Sequence, residues 1–132
     1  MIDWTIEWPK IVAQAVAHGV DPRFIRAIRE QENGDPGREF GVLSVQASTY
    51  DEQLQVCCVS VAHRAGVFDA NDPPLFERLP IEGLYYSDAF IQYFGKIWAP
   101  MKAANDPGNL NANWIAGVRA IYTGLVRMGV TE

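Results

Sequence analysis

The sequence predicts a mainly α domain, compact and built of about five helices, with little or no β structure. Three observations predict it. Apolar residues recur at helical spacing in five separate stretches. Capping or stop residues bound most of those stretches where helix ends need them. No stretch alternates apolar and polar residues long enough for a convincing strand, and Glu39 to Val45 is the one short extended candidate. At 132 residues, 48% apolar and 20% charged, the chain fits a single domain, residues 1–132, with room for a core.

The first helix is expected from about Pro9 to His18, with Ile11, Val12, Ala15 and Val16 apolar and Gly19 as its stop. The second opens on Asp21 as N-cap and Pro22 at the first helical position, where a missing N–H costs nothing; Gly34 ends it. Thr49 to Glu52 form a capping box for the third, and Leu54, Cys57, Cys58, Val61, Ala65 and Phe68 carry its apolar face. A loop from Asn71 to Pro80 holds one short turn around Leu75 to Arg78. The fourth helix starts near Ser87, carries Phe90, Ile91, Phe94, Ile97 and Trp98, and stops at Pro100. After the turn-rich Asn105 to Asn109, the fifth runs from about Asn111 to Met128, with Trp114, Ile115, Val118, Ile121, Tyr122 and Leu125 on one face.

The net charge of −5 argues against a nucleic-acid partner, which calls for a basic face. Cys57 and Cys58 are adjacent and read as small apolar residues packed in a helix, not as a disulfide framework. His18 and His63 stand far apart in the chain, so neither a metal site nor a cofactor is expected. The N-terminus lacks the basic start and apolar run of a signal peptide, and no stretch has the length of a membrane span. The chain is expected to be made soluble.

Glu32 is the leading candidate for chemistry. It closes the second helix on the same face as Ile28 and Ile25, at the mouth of the core. Glu30 points elsewhere, four residues after Arg26, an ordinary spacing for an exposed ion pair. A carboxylic acid edged into apolar surroundings has a raised pKa, which suits a general acid near neutral pH. The plain alternative is a charged helix end.

Gln31-Glu32-Asn33-Gly34 and the later Gly41-Val42-Leu43-Ser44 resemble the active-site signature of the lysozyme-like superfamily, closest to lytic transglycosylases of the soluble-transglycosylase type. In that family a Gln-Glu-Ser-Gly-like turn holds the catalytic glutamate, and a Gly-Leu-Met-Gln-like segment follows. Here Asn33 replaces the serine, Ser44 stands where glutamine is usual, and the connecting loop is short. The stretch from Phe90 through Trp98-Ala99-Pro100 and Asn111 to Trp114, ending at Tyr122, also reads like bacterial and phage wall-degrading domains.

The resemblance implies a lysozyme-like fold and a peptidoglycan-degrading enzyme. It would cleave the β-1,4 bond between N-acetylmuramic acid and N-acetylglucosamine, with Glu32 as general acid and base. Gln31, Asn33, Glu39, Gly41, Val42, Leu43, Ser44, Tyr86 and Tyr122 are the implied substrate-binding candidates. Either Tyr86 or Tyr122 is expected to hydrogen-bond Glu32. Tyr85 and Tyr86 are the better groove aromatics, while Trp98 and Trp114 are expected in the core. Among second carboxylates Glu39 leads Asp35 and Asp51, although an ion pair with Arg38 is the favoured fate of Glu39. The implied partners are peptidoglycan glycan strands, reached from a phage particle or another delivery system, or on release at lysis. The alternatives are a muramidase of the same fold, a catalytically inactive structural or binding relative in a phage particle, and an unrelated helical interaction domain.

Overall fold

The computed structural model describes residues 2–43, 46–68, 74–79, 83–98 and 110–129. They form a mainly α domain: α1 (Trp4–His18), α2 (Pro22–Glu32), α3 (Tyr50–Phe68), α4 (Asp88–Trp98) and α5 (Leu110–Arg127). A two-stranded antiparallel hairpin, β1 (Phe76–Leu79) and β2 (Gly83–Tyr86), lies between α3 and α4 in the chain. None of the described helices is long and apolar enough to cross a membrane.

The core is organised around α2, which packs against α1 on one side and α5 on the other. Phe24, Ile25, Ala27 and Ile28 of this helix are wholly buried. The Phe24 ring meets Tyr86, Phe94 and Tyr122 edge-on at 5.3, 5.6 and 5.3 Å, the geometry that aromatic quadrupoles favour. Cys57 and Cys58 are buried and unbridged on α3.

Two polar nodes fasten the two edges of this core. At the start of α2, Asp21 caps the Arg23 N–H and pairs with the Arg23 guanidinium at 2.7 Å. The Tyr122 hydroxyl donates to Asp21 at 2.6 Å and accepts the Tyr86 N–H at 2.7 Å, while Arg23 donates to the Leu84 carbonyl. This node ties α2, α5 and the hairpin together. On the opposite flank Arg29 pairs with Glu7 at 2.7 Å, and the Tyr50 hydroxyl donates to the same carboxylate at 2.8 Å, joining α1, α2 and α3.

Several elements depart from expectation. Helix α1 starts five residues before Pro9, because Asp3 accepts the Thr5 N–H as N-cap. Pro9 removes one donor in the second turn, where Thr5 and Pro9 are both exposed to solvent. Helix α2 ends at Asn33, which takes the left-handed C-cap at φ 43°. Gly34 is needed for another reason, since a Cβ there would overlap the Arg38 carbonyl. Arg26 does not pair with Glu30; its guanidinium lies over the Trp4 and Trp8 rings at 4.2 and 5.3 Å.

The hairpin replaces the turn expected around Leu75 to Arg78. Its register sets Phe76 opposite Tyr86, and their rings stack 5.3 Å apart. Residues 39–43 form no strand, and Val45 lies outside the described residues, as do Asn71, Pro80, Pro100 and the stretch from Asn105 to Asn109. The Thr49–Glu52 capping box is present, with Thr49 N–H on Glu52 at 3.1 Å and Glu52 N–H on the Thr49 hydroxyl at 3.2 Å.

Tyr122→Phe removes the donor to Asp21 and strands the buried Tyr86 N–H. An unsatisfied buried group costs about 1–3 kcal/mol, so urea unfolding is expected to show a loss of that size. A variant as stable as the parent would mean that the node contributes nothing.

Candidate active site

Helix α2 delivers Glu32 to its C-terminal end on the stripe that buries Ile25 and Ile28, while Glu30 is exposed. Three elements close around the Glu32 carboxyl. From α5, the Trp114 indole Nε1 donates to Oε1 at 2.6 Å. From α4, the Trp98 side chain comes close enough to help lower the carboxyl's pKa. From the loop, Gly41 presses its backbone against it: a Cβ at Gly41 would overlap Oε2 and Cδ. Gly41 has φ 76°, so glycine is required there for conformation and for space.

Burial pushes the Glu32 pKa up, and the two indoles pull it partly back, leaving it raised. Behind it stands Cys57, whose thiol burial holds well above its ordinary range, with Cys58 and Glu32 adding to the effect. Glu32 is therefore a carboxyl that keeps its proton further toward neutrality than a solvated one does.

The Gly41 segment is positioned by Gln53 of α3, which is wholly buried. Its Oε1 accepts the N–H groups of Phe40 and Val42, both at 3.1 Å. Its Nε2 donates to the carbonyls of Val42 at 2.8 Å and Ala47 at 2.5 Å. All four hydrogen-bonding positions of the amide are filled, so one helix side chain sets the path of the loop beside Glu32. Sequence reasoning missed Gln53, though a signal existed: it precedes Cys57 and Val61 at steps of four, on the buried face.

Gly41, Val42 and Leu43 line a cleft of about 260 Å³ with Val56 and Trp98. The structure thus brings Glu32, Gly41, Val42 and Leu43 to one place, while Ser44 lies outside the described residues. Trp98, expected in the core, is half-buried and forms a wall of the cleft.

Other candidates are placed elsewhere. Tyr86 and Tyr122 are turned to Asp21, at the far end of α2, and are 2% and 0% exposed. A hydrogen bond from either to Glu32 is therefore not what the structure has; the Trp114 indole holds that position. Burial drives the Tyr122 phenol far up and the Tyr86 phenol up to about 12, so both stay protonated. Tyr85 donates to Glu77 and lines a separate hollow of about 290 Å³ with Asp88, Arg119 and Thr123. Gln31 packs against Gly117 of α5, where a Cβ would overlap its amide. Asn33, the α2 C-cap, faces another hollow with Ile2, Trp4 and Glu30.

Glu39 makes no ion pair with Arg38. It accepts the Gly37 N–H at 3.0 Å, while Arg38 donates to the carbonyls of Gly37 and Ala47. Asp35 and Asp51 are exposed. Among the described residues no three His, Cys, Asp or Glu side chains gather closely enough to hold a metal ion.

Gly41→Ala is expected to displace the Glu32 carboxyl and to cost stability, through the left-handed backbone and the lost space. Thermal unfolding and a crystal structure of the variant would check both; an undisturbed Glu32 would refute the close approach. Gln53→Leu leaves four backbone groups without their partner. With about 1–3 kcal/mol for each one that water cannot reach, chemical denaturation should show a loss of several-fold more than ordinary surface changes cause.

No protein-family model, no curated protein and no solved structure matches this chain.

Proposed function

We propose that this domain degrades peptidoglycan, cleaving the β-1,4 bond between N-acetylmuramic acid and N-acetylglucosamine as a lytic transglycosylase. One observation carries the reading: a carboxyl with a raised pKa lies beside a cleft, with its rotamer held by an indole N–H and a glycine backbone. Breaking a glycosidic bond needs a proton on the leaving oxygen, and Glu32 is suited to give it.

The same residue must then act as a base. After the proton has left, Glu32 is an anion that the Trp114 N–H stabilises by hydrogen bonding. It takes a proton from the sugar's 6-hydroxyl, whose oxygen attacks the anomeric carbon and closes a 1,6-anhydro ring. No water is consumed, and each proton given by Glu32 is returned to it.

A hydrolase of the usual kind adds a second carboxylate. The Glu32 carboxyl takes its hydrogen bond from the Trp114 indole, and Glu39 is engaged with the Gly37 N–H. This favours the anhydro route over a muramidase. The substrate would be reached from a phage particle, by another delivery system, or on release at lysis.

The test is mass analysis of digested peptidoglycan. The parent protein is expected to release anhydro-muropeptides; reducing-end products alone would make it a muramidase, and no products would leave an inactive relative. Glu32→Gln should lower the rate by about a hundredfold to ten-thousandfold, since the amide keeps the shape but gives no proton. Glu30→Gln should do little, and Glu39→Gln should cause only a modest loss. Loss in Glu39→Gln as deep as in Glu32→Gln would favour the two-carboxylate mechanism.

Stability should follow a defined sign. The folded pKa of Glu32 is raised, so its contribution is fully present below the unfolded value and is lost as pH rises through the folded value. Glu32→Gln cannot ionise and escapes that loss. Relative to the parent it should become more stable as pH rises from 4 to 8, and urea midpoints across that range would measure it. A shift in the opposite direction would contradict the raised pKa.

A further inference from the structure

The two oxygens of Glu32 meet different walls. Oε1 takes the Trp114 indole N–H, and Oε2 is the atom nearest to where a Gly41 Cβ would stand. An indole N–H donates and never accepts, so an acidic O–H pointed at it would set two hydrogens against each other. We propose that Trp114 is the positioning residue of this site: its N–H fixes the Glu32 rotamer and confines the exchangeable proton to Oε2, on the Gly41 side. The catalytic consequence rests on the glycosidase reading above; the placement of the proton does not.

The indole is itself firmly held. Trp114 is 4% exposed and its ring lies 6.2 Å from that of Phe94. Gly95 of α4 lets α5 come close, since a Cβ there would overlap Ile115 and stand 3.2 Å from the Trp114 ring. Around Glu32 the facing groups are Cys57 from α3, Trp98 from α4, Trp114 from α5 and the Gly41 backbone. Cys57 is the titratable group among them, and burial keeps its thiol protonated. Arg29, three residues back on α2, is turned to Glu7. Hydrogen-bond donors, with no neighbouring charge among those groups, therefore set which oxygen carries the proton.

The consequence is a directed transfer. The proton on Oε2 leaves on the side where Gly41, with Val42, Leu43, Val56 and Trp98, lines the cleft. The anion left behind already has its Oε1 donor in place, so no reorganisation is needed at the moment of transfer.

The experiment follows the Glu32 carboxyl carbon by NMR titration in the parent, in Trp114→Phe, and with benzothienylalanine at position 114. The last keeps the two-ring shape and lacks the N–H, so it separates the hydrogen bond from packing if Trp114→Phe folds poorly. Loss of the donor should move the Glu32 pKa upward in both variants. If the domain cleaves glycan, kcat should fall about tenfold or more with KM little changed, and the basic limb of the pH profile should move up. An unchanged Glu32 titration with benzothienylalanine in a natively folded protein would overturn the proposal. A larger upward shift in Trp98→Phe than in Trp114→Phe would also overturn it, by moving the role to Trp98. A shifted titration in a protein that cleaves no glycan would uphold Trp114 as the positioning donor and sink the glycosidase reading alone.

Discussion

Burial of α2 is the constraint on which the other parts depend. This helix is enclosed by α1 and α5 and has polar groups at both ends, and a buried polar group without a partner is costly. Each end has therefore drawn in distant side chains. Asp21 draws Tyr122, 101 residues away, and Glu32 draws Trp114, 82 residues away. Both partners stand on α5, so a single helix answers both ends of another and fixes their relative rotation. The two ends differ in consequence. Asp21 is neutralised by Arg23 and locked by a tyrosine hydroxyl, whereas Glu32 meets no cation among its described neighbours and sits beside a cleft.

This difference separates architecture from chemistry. A carboxylate paired with a guanidinium and a phenol is a fastening. A carboxyl surrounded by indoles, a thiol and a glycine backbone has a weakened preference for its charged form, and the protein tolerates it where the cleft opens. Gln53 extends the same logic to the loop. Four hydrogen bonds from one buried amide hold Phe40, Val42 and Ala47, and with them Gly41 at the distance it needs to reach Glu32. The site is thus built from helix ends and one loop, all referred back to the same core.

Much of this was legible in the sequence, for identifiable reasons. Helical periodicity located the helices because their apolar faces are the core, and the Asp21-Pro22 start and the Thr49 box are encoded within a few residues. Glu32 and Gly41 were paired through the resemblance, which sets their two short motifs in one site. The hairpin was not legible, since its strands are four residues long and Phe76 and Leu84 are 43% and 48% exposed, giving no alternation to read. The tyrosines were assigned to Glu32 on the resemblance alone, and they stand at the other end of α2, on Asp21, while a tryptophan takes the place expected for them. Trp114 was correctly read as core, yet a buried indole still needs an acceptor, and that requirement could have pointed to an acid.

We propose that Glu32 presents a proton to a glycosidic oxygen from the cleft side. A crystal structure of Glu32→Gln with a muropeptide oligosaccharide tests it most directly. The account predicts a bridging oxygen within about 3 Å of the position-32 side chain, on the side that faces Gly41. A sugar chain bound elsewhere on the protein, with no glycosidic oxygen in reach of that side chain, would contradict it.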